Sequence, residues 1–353
     1  MMLTVLSFIG VLLVVVLVHE VGHFVTAKIF KVRVEEFGIG FPPRLFSFKR
    51  GEVRYSINAL PIGGFVKLAG EEDPNVSGSL AGKHPGVRTL VLAAGCLMNA
   101  LLPLLLFTIA FMVPHDIVSG QVQVSEVADG SPAALAGVEV GDTILKIDGE
   151  LVHNNVDLHR AIRSELGNEV VLFVQHRDGI TEEISAMARW RPPAEEGAIG
   201  VSISTADTVL VRQSYPFWRA IPMAVTECID TYILFKNEII SMIIGSAPAD
   251  IIGPVGIFVL TGEVAKAGFS SLLEFTALFS INLAIINLFP LPALDGGRIV
   301  FILLEWIRRG SRVVSPKAEG MIHLIGFFLL LGSMMAIIGW DIIRISSGGG
   351  LLP

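Results

Sequence analysis

Charge is the first thing this sequence is short of. Only 17% of its 353 residues are Asp, Glu, Lys or Arg, against roughly 25% in an average soluble domain, and residues 1–18 carry none. A hydrophobic share of 52% and a mean hydropathy of +0.67 exclude an ordinary soluble protein, yet the remaining charge is too much for a chain of spans alone. A membrane protein carrying a soluble part is the class that fits. Cysteine is scarcer still. Cys96 and Cys228 stand far apart in apolar segments, so they indicate neither a disulfide framework nor a thiolate zinc site, and both are expected to be packing residues. A net charge of -7, with no basic run interleaved with aromatics, excludes a nucleic-acid binder. No Lys or Arg precedes the first apolar core and no small-residue cleavage site precedes His19, so this segment is expected to be a retained span rather than a secretory signal.

Four apolar runs are long enough to cross a bilayer, at about residues 3–27, 90–113, 272–289 and 321–340. Residues 217–245 are also apolar, but Glu227, Asp230, Lys236, Asn237 and Glu238 interrupt them, which predicts an amphipathic helix at the membrane surface rather than a fifth span. Basic residues from Lys28 to Arg88 crowd the first connection, and Arg308, Arg309, Arg312 and Lys317 lie between the third and fourth runs. By the positive-inside bias both connections are expected in the cytoplasm.

Between about 115 and 204 the pattern changes to short alternating strands and turns. Strands are predicted at 121–124, 169–175 and 181–186, the last two joined by an Arg177-Asp178-Gly179 turn, with a helix over 155–166. The run Ser131-Pro132-Ala133-Ala134-Leu135-Ala136-Gly137-Val138, followed by Gly141-Asp142-Thr143-Ile144-Leu145-Lys146-Ile147-Asp148-Gly149, resembles the core signature of PDZ domains. That resemblance implies capture of an extended peptide at a sheet edge. A steric spacer or plug over the membrane part is the equal alternative.

At the end of the first apolar run stands His19-Glu20-Val21-Gly22-His23. On a helix the two histidines share one face four residues apart, where both imidazoles can bind one zinc with Glu20 beside it as a general base. Buried polar groups without function are costly at membrane depth. Two histidines leave a catalytic zinc one protein ligand short. Asp295 is the acid that fits, just after the third run in Asn287-Leu288-Phe289-Pro290-Leu291-Pro292-Ala293-Leu294-Asp295-Gly296-Gly297-Arg298, where prolines and glycines let the backbone bend. Its alternative role is to orient a histidine from outside the coordination sphere. Asn287, at membrane depth, is placed to hydrogen-bond substrate backbone or a developing oxyanion.

This combination of HExxH in a first span, an NxxPxPxLDGGR element later and a PDZ-like module between resembles the site-2 protease family of intramembrane metalloproteases. Within it, the resemblance is to the bacterial branch of regulator-of-sigma-E type with a single PDZ domain. The resemblance implies one Zn2+ per chain held by His19, His23 and Asp295, Glu20 as general base, and Asn287 as a substrate-binding residue. Gly95-Cys96-Leu97-Met98-Asn99 resembles the family's Gly-x-x-x-Asn element, with Cys96 where proline is usual. Asn99 is then a substrate-binding candidate, or a plain interhelix hydrogen-bonding residue. Residues 55–68 around Gly63 and Gly64 resemble the family's membrane-associated β-hairpin, whose edge would hold substrate in extended form; an ordinary cytoplasmic hairpin fits the local pattern as well.

The expected fold is thus a polytopic α-helical membrane protein of about four spans, with an inserted α+β PDZ domain and a membrane-associated β-hairpin. Its expected division is 1–114 and 269–353 as membrane parts, 115–204 as the PDZ domain and 205–268 as an amphipathic post-PDZ region. The resemblance implies a zinc endopeptidase in the cytoplasmic (inner) membrane, its PDZ domain extracytoplasmic, with lipid around it. Its partners would be single-span membrane substrates such as anti-sigma factors or remnant signal peptides. A non-catalytic PDZ adaptor needs neither Glu20 nor Asp295. A metal transporter predicts inverted repeats that the two halves do not share.

Overall fold

The computed structural model describes residues 1–71, 73–193, 196–246, 252–308 and 314–346. Arg309 and Arg312, used above for orientation, lie outside the described residues. In chain order the elements are α1 (Met2–Ile29), β1 (Val34–Arg50), β2 (Val53–Leu68), α2 (Pro85–Met112), β3 (His115–Val127), α3 (Pro132–Ala136), β4 (Thr143–Ile147), β5 (Glu150–Leu151) and α4 (Asn155–Ser164). There follow β6 (Glu169–Gln175), β7 (Thr181–Met187), β8 (Val201–Gln213), α5 (Phe217–Ile243), α6 (Pro254–Ala267), α7 (Phe269–Leu288), α8 (Asp295–Ile307) and α9 (Pro316–Ser346). They form two compact units, residues 1–110 with 251–353, and residues 111–250.

In the first unit α1, α2, α7 and residues 317–344 of α9 are long and apolar enough to cross a membrane. They correspond to the four apolar runs of the sequence. Small residues let α1 and α2 approach closely, since a Cβ at Gly22 would collide with the Ala94 carbonyl. Hydroxyls tie α7 to α2: Ser280 Oγ donates to the Asn99 carbonyl at 2.8 Å and Ser270 Oγ to the Ala110 carbonyl at 2.9 Å. The loop before α6 is fastened to α9, because the buried Asp341 carboxylate accepts from the Gly253 and Gly256 amides at 3.3 and 3.0 Å.

The β1–β2 pair is more than a simple hairpin. Residues 36–39 of β1 pair both with residues 54–57 and with residues 64–67 of β2. The start of β1 is therefore the middle of a curled sheet, with the end of β2 along its edge and bulges absorbing the bend. Leu45, Phe46 and Phe48 stand exposed at the far end of β1.

In the second unit an antiparallel sheet of order β7-β6-β4-β3-β8, with β5 paired to β4, packs around Val122, Ile144, Leu158, Leu172 and Ile199. Ser131 caps α3 through its side chain, and Gly137 closes that helix with a left-handed φ of 98°. Asn154 caps α4. Three of the charged and amide residues that interrupt the apolar run of α5 bind α4: Asn237 Nδ2 donates to the Arg163 and Ser164 carbonyls at 2.9 and 2.8 Å. Glu227 pairs with Arg160 and Glu238 with Arg163. Trp218, Ile221, Val225 and Ile229 are exposed on the same helix, so α5 is amphipathic and is not one of the four helices apolar enough to span.

Candidate metal centre

The first unit brings together three side chains that lie up to 276 residues apart. His19 and His23, one turn apart near the end of α1, point edge to edge with ring centroids 4.8 Å apart and planes at 80°. Asp295 opens α8 and turns its Oδ2 between them, 3.1 Å from His19 Nε2 and 3.3 Å from His23 Nε2. The two Nε2 atoms are 3.1 Å apart. Both histidines are buried, at 7% and 8% exposure.

This triangle is the right size for zinc. Ligand bonds of about 2.0–2.1 Å at tetrahedral angles place neighbouring donor atoms roughly 3.3–3.4 Å apart. The donor set of two imidazoles and a carboxylate also matches zinc's preference. His23 Nδ1 lies 2.8 Å from the Val91 carbonyl, which can only accept, so the proton sits on Nδ1 and the Nε2 lone pair faces the centre. His19 Nδ1 is buried without a partner among the described residues.

Glycines make the approach of the elements possible. A Cβ on Gly95 of α2 would sit 2.5 Å from His23 Nε2 and 2.7 Å from His19 Nε2, so only a glycine lets α2 lie against the coordinating edges. Gly296 and Gly297 do the same for Asp295, because Cβ atoms there would collide with the carbonyls of Leu288, Phe289 and Leu291. The turn before α8 is held in an unfavourable conformation, with Ala293 at φ 76°. His323 of α9 steadies it by accepting the Ala293 amide at 3.0 Å. Arg298 binds Glu71 at 2.7 Å and Arg88 binds Glu305 at 2.8 Å, fastening α8 to the segment after β2 and to α2.

Glu20 lies on the same stretch of α1, within electrostatic reach of His19, His23 and Asp295 and close to the Val66 backbone. The edge of β2 runs beside it: a Cβ on Gly64 would be 3.3 Å from Glu20 Cγ. Gly63 adopts φ 101° under the Phe41 ring. Asn99, one turn beyond Gly95 on α2, is fully buried, and neither its Oδ1 nor its Nδ2 has a partner among the described residues. Asn287, in the last turn of α7, is half-buried.

The sequence reading did not anticipate Val91 or His323 in this centre; it named Gly95 only as part of the Gly-x-x-x-Asn element, and it took Cys96 for packing. Val91 contributes only a backbone carbonyl, which carries no pattern of its own. His323 had no motif to flag it either, being a lone histidine in an apolar run. Cys96 Sγ in fact lies 3.9 Å from Asp295 Oδ2, and the donor atoms of His19, Cys96 and Asp295 fall within 4.8 Å of one another.

Known proteins agree with this chemistry. The chain matches peptidase family M50 over residues 7–333. It is 37% identical over 338 residues to a Clostridium perfringens protein whose name assigns it provisionally to the zinc metalloproteases, covering 93% of this chain and 95% of that relative. It is 30% identical over 430 residues to the zinc metalloprotease RasP of Geobacillus kaustophilus, covering 97% and 98% of the two chains. The regulator of sigma-W protease RasP from Bacillus subtilis is 27% identical over 425 residues, again covering 97% and 98%. With a match over nearly its whole length and four helices fit to span a membrane, the chain belongs to peptidase family M50, the site-2 proteases, and is a multi-pass membrane metalloprotease that uses zinc.

Proposed function

We propose that this protease cleaves single-span membrane proteins within or beside their transmembrane segment, with His19 Nε2, His23 Nε2 and Asp295 Oδ2 holding the zinc. The observation that carries the reading is the 3.1–3.3 Å triangle of those three atoms with Glu20 beside it. Bound there, zinc supplies Lewis acidity, acidifying a water molecule and polarising the scissile carbonyl. Glu20 takes the proton of the attacking water and delivers it to the departing amide nitrogen.

A helical substrate shields its peptide bonds with its own hydrogen bonds, so it must be held in extended form before attack. The strand β2 at Gly63 and Gly64 supports that role, because it runs past Glu20, with Gly64 packed against the Glu20 side chain. Asn99 supplies an unpaired donor and acceptor on the face of α2 that carries Gly95; a buried amide left unpaired costs about 1–3 kcal/mol, which substrate backbone would recover. Asn287 is proposed as a further substrate contact.

The physiological substrates fitting this reading are anti-sigma factors already trimmed by another protease, or remnant signal peptides, in the cytoplasmic membrane. Residues 115–204 are proposed to be a PDZ module on the extracytoplasmic side that excludes substrates whose outer domain is intact. Its supports are the capped α3, the Gly141-Asp142 turn, and β4 running into Asp148 and Gly149 at positive φ.

The test is cleavage of a model single-span substrate by purified protein in detergent, with the products mapped by mass spectrometry. Cuts within or next to the apolar segment, lost on chelation and restored by zinc, are the expected result. Cuts confined to soluble loops would overturn the substrate assignment. A variant lacking residues 115–213 is expected to cleave substrates with intact outer domains, and unchanged selectivity would remove the filter role.

A further inference from the structure

Two consecutive residues of α2 face the metal centre. Gly95 leaves the space in which the imidazoles meet, and the next residue brings a thiol to its flank. Cys96 is 5% exposed and forms no disulfide. Its Sγ is 3.9 Å from Asp295 Oδ2, and a ring nitrogen of His19 lies within 4.8 Å of both. A zinc–thiolate bond of about 2.3 Å and a zinc–carboxylate bond of about 2.1 Å set sulfur and oxygen roughly 3.6 Å apart at a tetrahedral angle. The observed separation exceeds that by only a few tenths of an ångström.

We infer that Cys96 is a fourth zinc ligand of the resting protease, its thiolate closing the position that hydrolysis needs open for water. The inference rests on the assignment of His19, His23 and Asp295 as the metal site. Closure breaks the S–H bond, forms a sulfur–zinc bond and passes the proton to Glu20 or solvent. Opening reverses each change, the thiol recovering a proton as water enters. The closed centre would carry two anionic ligands, Asp295 and Cys96, which together offset the charge of the dication and weaken its Lewis acidity. Substrate backbone entering along β2 would then shift the balance toward the open centre, so the site would not hydrolyse without a substrate in place. The same contact without a sulfur–metal bond is a weak S–H···O hydrogen bond, and the two are spectroscopically distinct.

The experiment uses the full chain in detergent with Cys228→Ser, leaving Cys96 as the single thiol, and cobalt(II) in place of zinc. A near-ultraviolet sulfur-to-cobalt charge-transfer band is expected, and it should vanish in Cys96→Ala while cobalt remains at one per chain. Cobalt bound at one per chain with visible d–d bands but no charge-transfer band would overturn the inference and leave the metal site standing. Failure to bind cobalt or zinc at all would overturn the metal site, and this inference with it. Should Cys96→Ala fold poorly, iodoacetamide labelling of the Cys228→Ser protein decides. Cys96 is expected to react roughly tenfold or more faster after chelation than with zinc bound, because a coordinated thiolate is shielded; equal rates would overturn the inference.

Discussion

The two units bury different things. Residues 111–250 enclose an apolar core of Val, Ile, Leu and Ala, with ion pairs and helix caps at its margin. The unit built from residues 1–110 and 251–353 has an apolar core around Val34, Val91 and Leu92 as well, and beside it buries His19, His23, Asn99, Arg88 and Asp341 among helices long and apolar enough to span a membrane. Burial of apolar groups costs nothing that needs explaining, whereas burial of unpaired polar groups does. Chemistry is therefore to be sought where the fold tolerates that cost, and the two histidines, Asp295 and the unpaired Asn99 amide all lie in the first unit.

Breaking the polar side of the comparison should have the largest effect. Asp295→Ala removes the one carboxylate in the His19–His23 triangle and should abolish both stoichiometric zinc and proteolysis, as read by metal analysis and substrate cleavage. Gly95→Ala comes next. Its Cβ would stand 2.5 Å from His23 Nε2, so α2 or the imidazoles must shift, and a displacement of this kind should cost about a hundredfold in cleavage rate with the helical circular dichroism unchanged.

The apolar side should respond in the opposite sense. Leu172 is fully buried in the sheet core of the second unit, and Leu172→Ala should destabilise that unit by about 2–5 kcal/mol, measured by urea unfolding, while zinc content stays at one per chain. The smallest effect concerns the turn at Asp142. His176 Nδ1 lies 3.1 Å from this buried carboxylate, and the hydrogen bond raises the pKa of His176 above that of an ordinary histidine. A raised folded-state pKa means that the stabilisation is complete below the unfolded value, about 6.5, and is lost as pH rises through the folded value. Amide exchange in β4 and β6 should therefore quicken across that window beyond its intrinsic pH dependence, and His176→Asn should remove the extra slope.

Much of the centre was legible because its parts are local. HExxH places two imidazoles on one helical face by period alone, and the prolines and glycines around Asp295 announce a broken helix, which the structure places at 289–294 with α8 starting at Asp295. The four helices long and apolar enough to span were legible from apolar length. What could not be read depends on contacts across the fold. Gly95 matters for the side chain it lacks, and Val91 contributes only a backbone carbonyl. His323 meets Ala293 from a helix 30 residues away. The doubled pairing of β1 escaped because bulges, which leave no alternation pattern, set its register. Helix α6 escaped as well, its apolar residues being too few to suggest a span.

The most direct test of the account compares wild type with Glu20→Gln for zinc content and for cleavage of a single-span substrate. The account predicts one zinc per chain in both, with cleavage falling by about 10²–10⁴-fold in the variant, as loss of a general base requires. Equal cleavage by the two proteins would contradict the role of Glu20, and absence of zinc from active wild type would contradict the metal centre itself.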